Sequence, residues 1–226
     1  MNEEIRQHIQ TRLEHKKAFF QTHQTKDVSY RIAALKRLKK SILARETDIA
    51  AALREDLGKS SEEAYITETS IVLRELNLHL RQIREWTEPK RVSTPLPLFP
   101  SSSKIIAEPL GTALIIAPFN YPFQLVMAPL IGALSSGCCA LLKPSPKAPA
   151  IAQVMKEIIA SCFDENYVSV IEGEGVVNDI LLEQRFDLIF FTGSPRVGKI
   201  ISKAAAKHLT PVILELGGKN PCIVDR

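Results

Sequence analysis

The stretch PLGTALIIAPFNYPFQLVMAPLIGALSSGCCALLKPSP, from Pro109 to Pro146, decides the fold. Residues 112–117 form a short apolar run, typical of a strand covered on both faces of a parallel sheet, and residues 140–142 begin a second run. Between these runs, residues 122–136 carry apolar positions at three- and four-residue spacing, and Gly137 follows as a helix C-cap would. The stretch therefore predicts a βαβ unit with two parallel strands.

The rest of the chain extends this pattern on both sides. On the N-terminal side, apolar positions at helical spacing predict helices over residues 4–23, from Asp27 or Ser29 to about residue 43, over 46–57 and over 62–86. On the C-terminal side, helices are predicted over 148–163, 175–183 and 195–207, and strands over 168–173, 186–193, 210–215 and 221–225. The fold class is α/β, with a doubly wound, Rossmann-like parallel sheet behind an N-terminal helical layer.

A proline-rich segment separates the helices from the sheet. Residues 87–109, TEPKRVSTPLPLFPSSSKIIAEP, contain five prolines and a serine triplet. Since proline has no backbone N–H for a central strand, the segment is predicted to be an extended arm, an edge ribbon or a linker. The expected divisions are 1–86, 87–109, 110–210 and 211–226.

Composition excludes several classes of protein. The net charge of +4 comes from basic residues interleaved with carboxylates on helical faces, which indicates solvated surface rather than a nucleic-acid site. The four cysteines show no C-x-x-C pair, so we expect buried or semi-buried free thiols in a reducing compartment and no zinc site. The five histidines show no partner pattern. With no membrane-spanning run and a polar N-terminus, a cytoplasmic location is expected.

Two polar residues lie where a ligand of the predicted sheet would bind. Ligands of open α/β sheets bind beyond the carboxyl ends of the strands, where Asn120 and Lys143 follow the first two predicted strands. An asparagine amide can donate to a developing oxyanion without adding a titrating group, although asparagine at such a turn also caps loops. A strand-end lysine suits a ribose hydroxyl or an adenosine phosphate, or is simply solvated.

Two further candidates follow the later strands. The segment Gly193-Ser194-Pro195-Arg196-Val197-Gly198 opens a predicted helix, whose backbone N–H groups could bind a pyrophosphate, although glycine there also serves packing. Its spacing matches neither the G-x-G-x-x-G fingerprint nor a Walker A motif. Glu215 precedes Gly217-Gly218, and an apolar neighbourhood would raise its pKa and make it a proton acceptor. The alternative is that Glu215 forms a salt bridge at the boundary between two domains.

Four ordered motifs carry a family resemblance. They are FNYPFQL at 119–125, LKPS at 142–145, FFTGSPRVG at 190–198 and LELGGKNP at 214–221. Together they resemble the NAD(P)-dependent aldehyde dehydrogenase superfamily, closest to its class 3 or fatty-aldehyde branch. The resemblance covers essentially the whole chain, which corresponds to the N-terminal half of that fold.

The resemblance implies a role for each candidate. Asn120 matches the oxyanion-hole asparagine and Glu215 the general base. The implied cofactor site comprises Lys143 at the ribose, Gly193, Ser194 and Gly198 around the phosphates, and Leu216 and Gly217 near the nicotinamide. Pro146 replaces a glutamate that frequently contacts the ribose in this family, so the expected cofactor is NAD or NADP.

The resemblance also implies what the chain does not contain. The catalytic cysteine of the family lies beyond the ELGG motif, and none of Cys138, Cys139, Cys162 and Cys222 matches it. We therefore expect the N-terminal half of an aldehyde-oxidising homodimer, with residues 87–109 as the dimer arm, residues 110–210 as the dinucleotide-binding domain and residues 211–226 beginning a catalytic domain. A non-catalytic nucleotide-binding or dimerising product is the alternative. An acyl-phosphate reductase would share the architecture, but ELGGKNP resembles the hydrolytic dehydrogenases.

Overall fold

The computed structural model describes residues 2–225 as helices on both faces of a parallel sheet. The helices are α1 Asn2–Gln21, α2 Val28–Ala44, α3 Glu46–Leu57, α4 Ser61–Ala64, α5 Ser70–Thr87, α6 Gln124–Ser136, α7 Pro149–Cys162, α8 Val176–Glu183 and α9 Pro195–Ala206. The strands are β1 Lys90–Val92, β2 Ser103–Ile105, β3 Thr112–Ile116, β4 Cys139–Lys143, β5 Val168–Val170, β6 Leu188–Gly193 and β7 Val212–Leu216. A π-helical turn, Tyr65–Thr69, joins α4 to α5.

Local chemistry fixes the helix ends close to the predicted positions. The Asp27 carboxylate accepts a hydrogen bond from Ser29 N at 2.9 Å and so caps α2. Gly58 and Gly137 adopt left-handed conformations at the ends of α3 and α6, where a side chain would be strained. The predicted helices are confirmed, with the π-helical turn as an interruption of the long one.

The sheet has the order β5-β4-β3-β6-β7, and all its strands are parallel. The chain enters at the central strand β3, proceeds outward to β4 and β5, and then returns to build β6 and β7 on the other side. The strand order thus reverses beside β3, which is the switch point at which open α/β sheets bind ligands. The predicted doubly wound sheet is confirmed.

Two apolar clusters cover the two faces of this sheet. Ala113 and Ile115 of β3 face a cluster built from α2, α3, α5, α6 and α7, whereas Leu114 faces a cluster built from α1, α8 and α9. The N-terminal helices are therefore divided, because α1 contributes Ile9 and Leu13 to the face opposite α2. Across the described part of the chain, no helix is both long and apolar enough to cross a membrane.

The proline-rich segment forms an antiparallel ribbon of β1 and β2, which confirms the extended ribbon. Its apolar side chains face solvent, with Leu96 and Phe99 more than four-fifths exposed. The predicted strand at 221–225 is wrong: none of the described strands pairs with this segment, and Ile223 and Val224 are exposed. A strand requires a hydrogen-bonded neighbour, which apolar sequence alone does not provide.

The N-terminus of α7 depends on a carboxylate from another helix. Ala148 precedes this helix and provides no side-chain cap, but the Asp56 carboxylate of α3 accepts from Ala150 N at 3.1 Å and Ile151 N at 2.8 Å. Asp56→Ala is expected to lower the free energy of unfolding by about 1–2 kcal/mol, as loss of a helix cap does. Urea denaturation measures this change. The neighbouring exposed Glu55→Ala is the control, and an equal loss in both variants would contradict the capping role.

Candidate cofactor and active site

The site is built at the carboxyl edge of the sheet. Because the strands are parallel and in register, β3, β4, β6 and β7 all end at this edge, where Ile116 pairs with Lys143 and Gly193 with Leu216. The loop that contains Asn120 follows β3, and α9 follows β6 directly. The candidate residues therefore lie at the edge that the sequence predicts, the carboxyl edge of the sheet.

A cleft of about 690 Å³ at this edge brings several predicted residues together. Its lining includes Asn120, Gly193, Glu215, Leu216 and Gly217. The cleft thus contains both predicted catalytic residues and part of the predicted cofactor site. Lys143, Ser194 and Gly198 do not line it and lie outside the cleft.

Asn120 presents its side chain without a partner of its own. The residue is exposed, and within residues 2–225 its amide makes no hydrogen bond, while its backbone carbonyl accepts from Lys59 Nζ at 3.2 Å. The amide is therefore available as a donor to a ligand in the cleft. A second polar group there also lacks a partner among the described residues, because Thr192 Oγ1 is buried without a hydrogen bond. A polar ligand would satisfy both groups.

Lys143 is buried at the end of β4 rather than extended into solvent. Its Nζ donates to the carbonyl of Pro144 at 3.0 Å. Burial lowers the pKa of the ammonium group, while Glu174 and Glu172, which follow the neighbouring strand β5, oppose this shift. The lysine thus presents a partly desolvated cation at the carboxyl edge, which suits a hydroxyl or phosphate oxygen.

The turn before α9 combines a helix N-terminus with close packing. Ser194 is exposed and caps α9 by accepting from Val197 N at 3.4 Å. A Cβ added at Gly193 would lie 2.5 Å from the Phe191 ring, and one at Gly198 would lie 2.9 Å from Leu216 Cδ2. Packing therefore explains both glycines, and the exposed helix N-terminus is the feature that suits a phosphate.

Glu215 differs from the prediction in its surroundings. It pairs with Thr192 across β7 and β6 and is exposed, so the described residues do not form the apolar enclosure predicted for its carboxylate. The reason is that β7 is an edge strand, with a neighbour on one side only. The carboxylate still lines the cleft and can accept a proton from a group bound there.

A second cavity of about 530 Å³ adjoins the cleft and is almost entirely apolar. Leu125, Phe190, Thr192 and Glu215 line both spaces. Most of its other lining comes from α6 and from the strands β3 and β6. An apolar chain could extend from the polar cleft along the apolar wall of this cavity.

Two predictions about the cysteines and histidines need correction. Cys138, Cys139 and Cys162 are buried as predicted, and burial raises the pKa of Cys139 to about 12, but Cys222 is exposed because 221–225 joins no sheet. His79 does have partners, since its ring lies 2.7 Å from Ser135 Oγ and 3.0 Å from Glu75 Oε1. Over residues 2–225, no three metal-ligating side chains form a group that could hold an ion.

Sequence reasoning missed a buried ion pair beside the Asn120 loop. Lys59 Nζ lies 2.5 Å from Glu68 Oε1, and both side chains are buried. A signal for Glu68 was present, because it shares the buried helical stripe of Ala64, Val72 and Leu76 at four-residue spacing. A charged residue on an apolar stripe indicates a specific partner.

A doubly wound sheet with a cleft at its switch point defines the class of open α/β domains that bind ligands at the carboxyl ends of their strands. Residues 2–226 match the model of the aldehyde dehydrogenase family, and the chain belongs to this family. It is 53% identical over 209 residues to 4,4'-diaponeurosporen-aldehyde dehydrogenase of Staphylococcus aureus, covering 92% of this chain and 46% of the relative. It is 44% identical over 201 residues to aldehyde dehydrogenase family 3 member H1 of Arabidopsis thaliana, covering 89% of this chain and 42% of the relative. The class 3 resemblance is confirmed.

Solved structures share the fold over nearly the whole chain. A substrate-bound AldH of Staphylococcus aureus superposes with a TM-score of 0.92 at 51% identity, covering 94% of this chain and 46% of that one. Betaine aldehyde dehydrogenase of the same species, in complex with NAD+, superposes with a TM-score of 0.84 at 27% identity, covering 93% of this chain and 42% of that one. The fold is also that of glyceraldehyde-3-phosphate dehydrogenase GapN from Methanocaldococcus jannaschii, complexed with NADP. This structure superposes with a TM-score of 0.82 at 23% identity, covering 96% of this chain and 47% of that one. The chain spans slightly less than half the length of these relatives.

Proposed function

We propose that the chain provides the nucleotide site, the oxyanion donor and the general base of an aldehyde dehydrogenase, which oxidises an aldehyde to a carboxylic acid. The observation that carries this proposal is the presence of Asn120 and Glu215 in one cleft, beside Leu216 and Gly217. An amide donor and a carboxylate at one reacting centre suit an acyl group that passes through an oxyanion and is then hydrolysed.

Each residue has a separate task in this proposal. The Asn120 amide donates to the oxygen that becomes negative when a cysteine thiolate adds to the aldehyde. The Glu215 carboxylate then takes a proton from the water that hydrolyses the thioester. Dividing the oxidation at a covalent intermediate replaces one difficult step by two easier ones.

NAD or NADP is the proposed cofactor, and it accepts the hydride when bound. Lys143 would hold a ribose hydroxyl, and Ser194 with the N-terminus of α9 would hold the phosphates. Gly193 and Gly198 keep that turn close to the strands, and the backbone of Leu216 and Gly217 lines the nicotinamide end. The orphaned Thr192 hydroxyl and the exposed N-terminus of α9 support this fit.

A long apolar aldehyde is the proposed substrate class. The apolar cavity beside the cleft has room for a chain of several carbons, and a diaponeurosporen-aldehyde dehydrogenase is among the relatives.

The exposed apolar ribbon at 87–109 supports a homodimer that uses this segment as its arm. Unpaired thiols support a cytoplasmic location. The proposed divisions remain 1–86, 87–109, 110–210 and 211–226.

Nucleotide titration and an aldehyde assay test the proposal together. Calorimetry of residues 1–226 is expected to show binding of NAD+ and NADP+ with dissociation constants within about tenfold of each other, because no glutamate at position 146 opposes a 2′-phosphate. No aldehyde turnover is expected, because Cys138, Cys139 and Cys162 are buried and Cys222 lines neither cavity.

Each outcome decides one part of the proposal. Absence of binding to either nucleotide would refute the cofactor site, and a preference for NAD+ above about a hundredfold would refute the interpretation of Pro146. Turnover above background would show that a cysteine of this chain acts as the nucleophile. Binding without turnover agrees with the proposal and also with a solely nucleotide-binding product, the alternative that the buried thiols favour.

A further inference from the structure

The buried Lys59–Glu68 pair contacts both ends of the Asn120 turn. Glu68 Oε2 accepts from Phe123 N at 2.8 Å and Gln124 N at 3.1 Å, and its other oxygen, Oε1, lies 2.5 Å from Lys59 Nζ. The N-terminus of α6 has no cap from its own sequence, because Phe123 offers no side-chain acceptor. Glu68 thus provides the carboxylate that the positive helix end favours.

Lys59 holds the other end of the same turn. Its Nζ donates to the Asn120 carbonyl at 3.2 Å and lies 4.3 Å from the centroid of the Tyr121 ring. The ion pair therefore restrains the backbone from Asn120 to Gln124. Since the Asn120 amide has no partner among residues 2–225, its direction depends on this backbone.

Stability alone does not account for a buried ion pair at this position. Two charges that leave water lose several kcal/mol of hydration each, and apolar side chains of similar size often stabilise a protein as much or more. Glu68 also lies in the π-helical turn Tyr65–Thr69, a distortion that occurs frequently at functional sites. These features favour a role in the site beside the pair.

We propose that Lys59 and Glu68 are positioning residues for Asn120, which fix the turn at 120–124 so that the asparagine amide faces the cleft. This inference rests on the proposed function, because it gives the fixed amide a task at the oxyanion. Neither side chain lines the cleft, so the pair acts through the backbone. The role is preorganisation, which places the donor before the charge develops.

Glu68→Gln in the 226-residue chain tests the inference. The variant leaves Lys59 without an anionic partner, so amide exchange at Phe123 and Gln124 is expected to become about 10- to 100-fold faster, the range for losing a hydrogen bond to a charged group. Exchange in β4 reports the stability of the core and serves as the internal reference. Glu63→Gln, the same change at an exposed glutamate of α4, is the control and should leave both rates unchanged.

The double variant Lys59→Met/Glu68→Met separates positioning from stability. It removes both charges together with the cap of α6, so any increase in core exchange in β4 is expected to be smaller than the increase at Phe123 and Gln124. The ¹⁵N side-chain resonance of Asn120 is expected to broaden or shift, whereas that of Asn77, which is bonded to Lys39, should not. A shift of both resonances, or a turn as protected as in the parent, would overturn the inference.

The nucleotide titration distinguishes the two proposals. The dissociation constant for NAD+ is expected to change less than about twofold in the double variant, since neither residue contacts the proposed cofactor site. A parent chain that binds no NAD+ would refute the proposed function and leave the exchange result standing. A parent chain that binds NAD+, together with a turn unaffected by Glu68→Gln, would refute only the positioning inference.

Discussion

Lys16→Met is expected to raise the free energy of unfolding at about pH 6 by about 2–4 kcal/mol, because it removes a buried charge that forms no ion pair within residues 2–225. Lys16 lies on α1 and is fully buried, and its Nζ donates to the backbone carbonyl of Glu165 at 2.6 Å. Burial lowers the pKa of the amine from 10.5 to about 7; the nearby Arg12 adds to this shift, and Glu165 and Asp164 oppose it. Methionine keeps the apolar stem without the charge.

The sign of the pH dependence follows from this lowered pKa. Between pH 7 and 10.5 the unfolded chain keeps the proton on Lys16 while the folded chain releases it. Stability therefore rises with pH across this window, by at most about 1.4 kcal/mol per pH unit. Below pH 7 both states are protonated, and the full penalty of the buried ammonium is present.

Urea denaturation of parent and Lys16→Met chains at about pH 6 and about pH 9 measures the effect. The advantage of the variant should be largest at the lower pH and should shrink as the parent amine loses its proton in the folded state. Lys40→Met, at an exposed position of α2, controls for the loss of a lysine. An advantage that is the same at both pH values would contradict a buried amine that titrates in this range.

The sheet could be predicted because local patterns determine it. Short apolar runs, the helix between them and Gly137 specify β3, α6 and β4, and parallel pairing then follows from the βαβ connection. The side of the sheet on which α1 packs could not be predicted. An amphipathic stripe such as Ile9 and Leu13 indicates that a helix is half-buried, but either face of the sheet would bury it.

The sequence predicts the position of those site residues that lie at the ends of parallel strands. Asn120 and Glu215 follow or end parallel strands, so their arrival at one edge follows from topology. Exposure of Glu215 depends on which elements cover an edge strand, and strand sequence does not encode this. The contacts of Lys59 and Glu68 with the turn are tertiary, between segments more than 50 residues apart, so only the unusual place of Glu68 on an apolar stripe pointed to them.

Lys143→Met is expected to weaken binding of NAD+ about 10- to 100-fold, the effect of losing one hydrogen bond from a charged donor. The lysine is buried at the carboxyl end of β4, and its described acceptor is the Pro144 carbonyl, so Nζ keeps donors for a ribose oxygen. Methionine fills the same space without the buried charge, so the free energy of unfolding should stay the same or rise. Calorimetric titration measures the loss, with Lys40→Met as the control. A dissociation constant within about twofold of the parent would exclude Lys143 from the cofactor site.

The pH dependence of binding gives a second, independent test of Lys143. Burial lowers the pKa of its ammonium group below the ordinary 10.5, so the charged donor is lost at a lower pH than at an exposed lysine. Affinity of the parent chain for NAD+ should therefore fall as pH rises through this lowered pKa. Lys143→Arg keeps its charge throughout this range, and its affinity, even if weaker, should not fall in the same way. If the affinity of the parent and that of Lys143→Arg fall equally as pH rises, the loss of affinity arises elsewhere in the site, because only the lysine changes its charge.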